Sequence, residues 1–139
     1  MPTPVKFQDF VEQLGLEQHN LNTDTLKFAL TNTLPVNTQT VFDAVTNHAA
    51  PAAANGYTAG GHDSLNTWAE SGGTATLSGT DVTITATAGG IGPFRYIVFY
   101  NDTNPTDMLL VYYDHGSSIT LADGESFVID ILTNIFTLV

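Results

Sequence analysis

The sequence predicts a mainly β protein: a single-domain β-sandwich or jelly roll over residues 1–139, with a short N-terminal helix. From Leu65 onward, about eight short runs suited to strands follow one another at even spacing, separated by glycine, asparagine and aspartate turns. Many of those runs are rich in threonine and other β-branched or aromatic residues, which fit a pleated surface. The chain of 139 residues has no cysteine, and a chain of this size buries roughly two-thirds of its unfolded surface without disulfide staples.

Residues 1–20 read as a helical arm. PVKFQDFVEQLGL places Val5 or Phe7, Phe10, Val11 and Leu14 at spacings of three and four, with Pro4 near the start and Gly15 where a helix would end. DTLKFALTN (24–32) alternates Leu26, Phe28 and Leu30 against Lys27, Ala29 and Thr31, the pattern of a half-buried strand. TQTVFDAVTNH (38–48) allows a short helix through Val41, Phe42 and Val45, weakened by its threonines and asparagine. AAPAAANGYTAGGHDS (49–64) is small, glycine-rich and nearly uncharged, and is expected as a long flexible loop. Strands are then predicted near 66–70, 74–78, 81–87, 94–101, 107–114, 118–121, 126–132 and 134–139, with Asp123-Gly124 as a tight-turn signal.

Charge and composition exclude several function classes. Three lysines and arginines stand against fourteen aspartates and glutamates, a formal net charge of −11, which repels phosphate backbones and anionic lipid heads. Neither nucleic acid nor membrane is expected as a partner. No apolar run approaches the roughly 18–20 residues that span a bilayer. MPTPVKFQDF lacks a basic start followed by an apolar stretch, so synthesis in the cytoplasm without a secretory leader is expected.

Arg95, the single arginine, sits in the apolar run GPFRYIVFYNDT. With period two, Phe94, Tyr96, Val98 and Tyr100 share one face, and Arg95, Ile97, Phe99 and Asn101 the other. The guanidinium then needs a carboxylate, from its own chain or from another. Asp114 and Asp130 are the in-strand acids, and Asp130, on a face with Val128 and Leu132, is the one expected to form a structural ion pair with Arg95.

No catalytic constellation is legible. Asp114-His115-Gly116-Ser117 holds triad residue types, but successive strand residues point to opposite faces, and there is no G-x-S-x-G elbow. The four histidines are scattered without zinc spacing, so no metal or other cofactor is expected. Asn101, Asp102 and Asp107, and Asp123 with Glu125, could offer oxygens to calcium, but such residues commonly serve turns themselves. The aromatics of the 94–113 region suit a core or an interface. Tyr57 and Trp68 are the best platform for a sugar.

Lys6-Phe7, the Leu30–Pro35 strand-turn, the GYTAGGH loop from Gly56 to His62, and the aromatic strand pair from Phe94 to Asp130 together resemble a family of small β-rich structural proteins of tailed bacteriophages. The resemblance covers nearly the whole chain. It implies a non-enzymatic virion protein, most simply a head decoration or cement protein that binds the major capsid protein lattice as a homo-oligomer, a dimer or trimer. Phe7, Phe10, Val11, Leu14, Tyr57 and Trp68 are the residues assigned to capsid or subunit docking, with capping of the sandwich as the helix's other role. The other reading is a host-glycan-binding module of a tail or head fibre.

Overall fold

The computed structural model describes residues 2–131 and 134–139, and is mainly β. In chain order the elements are β1 (Val5–Lys6), α1 (Asp9–Gly15), β2 (Leu26–Thr31), β3 (His62–Asp63), β4 (Thr67–Ser71), β5 (Thr74–Ser78), β6 (Val82–Thr85), β7 (Ile91–Asn101), β8 (Met108–Leu121), β9 (Ser126–Ile129) and β10 (Phe136–Leu138). The pairings are antiparallel: a five-stranded sheet in the order β1-β8-β7-β2-β3, a three-stranded sheet β10-β5-β4, and the pair β6-β9. The sandwich form of the expectation is what this order shows; nothing in it singles out a jelly roll. Leu132, expected on a strand face with Val128, lies outside the described residues.

One core cluster joins the layers. Phe28, Leu30, Ile97, Phe99, Leu110 and Tyr113 from the large sheet meet Leu77, Val82, Ile84 and Ile129 from the smaller ones. Phe28 and Phe99 are cross-strand partners, and their rings stack at 4.6 Å. Tyr113 donates its hydroxyl to the Ile135 carbonyl at 3.1 Å, which ties β8 to the approach to β10.

The other face of the large sheet is apolar too. Ala29, Val98, Tyr100 and Leu109 form a second cluster with Phe7, and Phe42 and Tyr112 pack against it. β2 is therefore buried on both faces, with Ala29 and Thr31 at zero exposure, where alternation predicted a half-buried strand. The cover comes from residues 32–48, which form no helix. Phe42 stacks on Tyr100 at 4.3 Å, nearly parallel, and His48 stacks on Phe42 at 5.5 Å. Such aromatic pairs contribute about 0.5–1.5 kcal/mol beyond the area they bury. Hydrogen bonds from Phe42 N–H to Asp107 O (2.8 Å) and from Leu109 N–H to Thr40 O (3.0 Å) hold this cover against the start of β8.

The glycine-rich stretch 49–64 is tied along the edge of β2 rather than left as a free arm. β3 pairs with Lys27 and Phe28, and beyond it the Tyr57 hydroxyl accepts the Leu30 N–H at 2.9 Å, satisfying an edge donor. Tyr100 donates its hydroxyl to Gly60 O at 2.6 Å, and Asn55 donates its amide to Gly90 O at 2.9 Å. Gly61, at φ +89°, lies so close to Phe28 that a β-carbon would collide with that residue's carbonyl oxygen.

The N-terminal helix is shorter than its periodicity suggests. Val5 and Lys6 pair with Tyr112 and Val111 as an edge strand, so the helix begins only at Asp9. The predicted strands 107–114 and 118–121 are one strand, β8. Tyr96 pairs with Asp114 and Phe94 with Ile119, so the exposed residues His115 to Ser118 stand opposite the single residue Arg95. This register shift also breaks the alternation on β7. Phe94 joins Ile97 and Phe99 in the main core instead of sharing a face with Val98 and Tyr100.

Gly61→Ala is expected to destabilise the protein by at least about 2 kcal/mol, through a strained positive φ and the carbonyl collision together. Gly72, at φ +61° with open space around it, isolates the backbone part, so Gly72→Ala should cost clearly less, about 1 kcal/mol. Urea denaturation of both variants checks the order.

Candidate functional site

The most elaborate polar construction outside the sheets lies where β7 ends. Asn101 is fully buried. Its Oδ1 accepts the Thr103 and Asn104 N–H groups at 3.0 and 3.2 Å, forming the turn after β7. Its Nδ2 donates to Asp24 Oδ2 at 2.7 Å and to His19 Nδ1 at 3.1 Å. Asp24 Oδ2 also accepts the Asn20 N–H at 2.8 Å, and Asn20 Oδ1 accepts the N–H groups of Asn22 and Thr23. The segment after α1 is thus folded onto the end of β7 by short polar side chains suited to turns.

Because His19 Nδ1 accepts, the neutral ring carries its proton on Nε2. That Nε2 is buried without a hydrogen-bond partner. An unsatisfied buried donor costs about 1–3 kcal/mol, which makes it conspicuous. His19 packs against Phe10 at 5.5 Å, and burial pushes its pKa down, opposed by the charges of Asp24 and Asp9.

Above this network opens a pocket of about 490 Å³ lined by Leu14, Glu17, His19, Asn20, Leu21 and Trp68. Glu17 adopts a left-handed backbone conformation, φ 62°. Trp68 is half-buried on β4, its backbone N–H donating to Asn22 Oδ1 at 3.2 Å and its ring tilted against Phe136 at 6.4 Å. The pocket joins an apolar wall, an indole, a carboxylate and an amide. Of its residues, only Leu14 and Trp68 are marked by the sequence pattern. Glu17, His19 and Asn20 come to Trp68 through contacts between distant segments, which no local spacing records.

The other predicted site residues fall elsewhere. Phe7 and Phe10 are buried in the second and main cores, so neither ring is available for docking, and the helix caps the sandwich. Leu14 packs against the main core, while Val11 remains about half exposed. Tyr57 is 4% exposed and occupied by Leu30, so it forms no platform with Trp68.

Arg95 is met by Asp114, not Asp130. Its Nε and Nη2 donate to the two carboxylate oxygens at 2.8 and 3.0 Å. The register supplies the reason, since Asp114 is the cross-strand partner of the next residue, Tyr96. The pair is intrachain and about 40% exposed on each side, a surface clamp rather than a buried bridge. Hydrogen bonds from Arg95 and the Gly116 N–H hold the Asp114 carboxyl below its ordinary range. With Asp114 so engaged and His115 Nδ1 facing Ser117 O at 3.3 Å, the DHGS run forms no relay. Asp102 pairs with Lys27 at 2.9 Å, and Glu125 accepts the Ala122 N–H at 2.8 Å. Among the described residues no three histidines, aspartates or glutamates are grouped to hold a metal ion. Among them, too, no helix is long and apolar enough to cross a membrane.

His48 is fully buried on the opposite side. Its Nδ1 accepts the Asp43 N–H at 3.2 Å, so Nε2 carries the proton and donates to Gln39 Oε1 at 3.1 Å. Burial lowers the pKa values of His48 and His62 as it does that of His19, with Asp43 opposing at His48. Comparison of the chain with protein-family models, curated proteins and solved structures finds no match.

The pH dependence of stability follows from these histidines. The unfolded chain takes up their protons near pH 6.5 and the folded chain only at lower pH. Stability is then full above about pH 6.5 and falls as pH drops through the folded values, by up to about 1.4 kcal/mol per pH unit for each histidine. Urea midpoints measured between about pH 7 and pH 5 should show this loss, and His48→Gln should flatten it.

Proposed function

We propose that this chain is a non-enzymatic structural protein of a tailed-bacteriophage virion, a head decoration protein that sits on the major capsid protein lattice and braces neighbouring subunits. It is made in the bacterial cytoplasm and works as a homo-oligomer, a dimer or trimer. The observation that carries the reading is that the motifs behind the resemblance are spent on holding the fold. Tyr57, Gly60 and Gly61 fasten the loop to the sheet, and Arg95 clamps the register shift. A chain that commits its signature residues to cohesion suits a bracing role.

The buried helix rings move the docking surface to the segment that covers the second face. Leu34, Val36, Val41 and Val45 expose 59%, 51%, 39% and 85% of their surface on that segment. Repeated over a lattice, modest apolar contacts of this kind add up through multivalency. The second reading, a glycan-binding module of a fibre, is favoured by the Trp68 pocket alone.

Cryo-electron microscopy of intact virions tests the choice by place and number. Even occupancy over the head, in proportion to the capsid subunits, is expected; a few copies confined to the tail or its fibres would sink the decoration reading. The double variant Leu34→Asp, Val45→Asp should keep the wild-type melting temperature but be retained on capsids at least about tenfold more weakly, as two rim contacts of about 1 kcal/mol imply.

A further inference from the structure

We propose that the pocket beside Trp68 binds a neutral saccharide, one sugar ring lying against the indole with its hydroxyls on Glu17 and Asn20. The volume of about 490 Å³ lies within the range of small-molecule sites and leaves room for one or two rings. The lining then selects the chemistry. Trp68 and Leu14 offer apolar surface, which the C–H faces of a sugar match. Glu17 is exposed at the pocket wall and its side chain makes no bond among the described residues, so its carboxylate is an acceptor for hydroxyl protons. Asn20 spends Oδ1 on the backbone of Asn22 and Thr23, which leaves its amide N–H₂ as a donor.

A ligand must therefore both donate and accept while covering apolar carbon, and a polyol ring does all three. An anion is disfavoured, because the lining includes Glu17 and neither lysine nor arginine, and the chain carries a net charge of −11. A quaternary ammonium would satisfy the indole and the carboxylate but has no acceptor to give the asparagine amide. Two further observations mark the place as a site. His19, 6% exposed and part of the wall, keeps an unpartnered Nε2. Glu17 itself is held at positive φ, a conformation that costs energy and is common at ligand clamps. The proposal is independent of where the protein sits on a particle.

Trp68 is the only tryptophan of the chain, so its fluorescence reports on this pocket directly. The intact protein is titrated with D-glucose, D-galactose, D-mannose and N-acetyl-D-glucosamine, with tetramethylammonium chloride as the cationic alternative. A saturable change with at least one sugar is expected, with a dissociation constant in the millimolar range. Glu17→Gln should weaken it at least about tenfold while leaving thermal unfolding unchanged. Asn20→Ala should weaken it as much and also lower the melting temperature slightly, because it gives up the bonds to the Asn22 and Thr23 N–H groups. Silence with all four sugars overturns the proposal. So does a saturable response to tetramethylammonium alone, or sugar binding that both variants retain at full strength.

Discussion

In the middle of β7, Ile97 and Phe99 turn into one core while Val98 and Tyr100 turn into another, and all four are buried. A sheet that is apolar on both faces needs two covers. The smaller sheets supply the first, as in any sandwich. The second has to come from a stretch with almost no regular structure, residues 32–48, with 49–61 fastened beside it along the edge of β2, and that requirement explains most of what is unusual in the chain. Phe42 and His48 extend the Tyr100 ring into a stack. Tyr57 satisfies an edge donor, and Gly61 lets the backbone pass against Phe28. Removing one full-size buried ring from such a layer would forfeit about 3–5 kcal/mol, a large share of a typical domain's stability.

The same constraint separates what the sequence discloses from what it hides. Strand positions from Thr67 to Leu138 follow from threonine-rich runs and glycine turns, because both are local signals. Both apolar faces of β7 are visible as a continuous apolar run. What covers the second face is not visible, since Phe42 meets Tyr100 from far away in the chain, with His48 stacked behind it, and neither carries periodicity. GYTAGGH looks like a mobile loop for the same reason: its small residues permit close packing as readily as motion, and only the contact with Phe28 decides between them. Asp114 was within reach as the partner of Arg95, but choosing it over Asp130 requires the register, which the excursion at His115–Ser118 sets. At the Trp68 pocket the sequence marks the indole and little else, because His19 and Asn20 are placed by the Asn101–Asp24 network and Glu17 by the left-handed turn that closes α1.

The two ends of functional interest are therefore built differently. The 32–48 cover is pinned from beneath and presents aliphatic side chains outward, a surface suited to contact with another protein. The Trp68 pocket is concave, acidic and partly unsatisfied, a place suited to a small polar ligand. The net charge of −11 bears on both, since like charge opposes self-association of exposed apolar contacts and disfavours an anionic ligand.

The central claim is that residues 32–61 are a structural layer of the fold. Amide hydrogen exchange tests it most directly, at Phe42, Tyr57 and Gly61, whose N–H groups bond to Asp107 O, Ala54 O and Thr58 O. The account predicts that these amides exchange only through openings nearly as costly as those that expose Phe28 and Val98 in the central strands. Exchange at almost unprotected rates in 32–61, with β2 and β7 still fully protected, would contradict it.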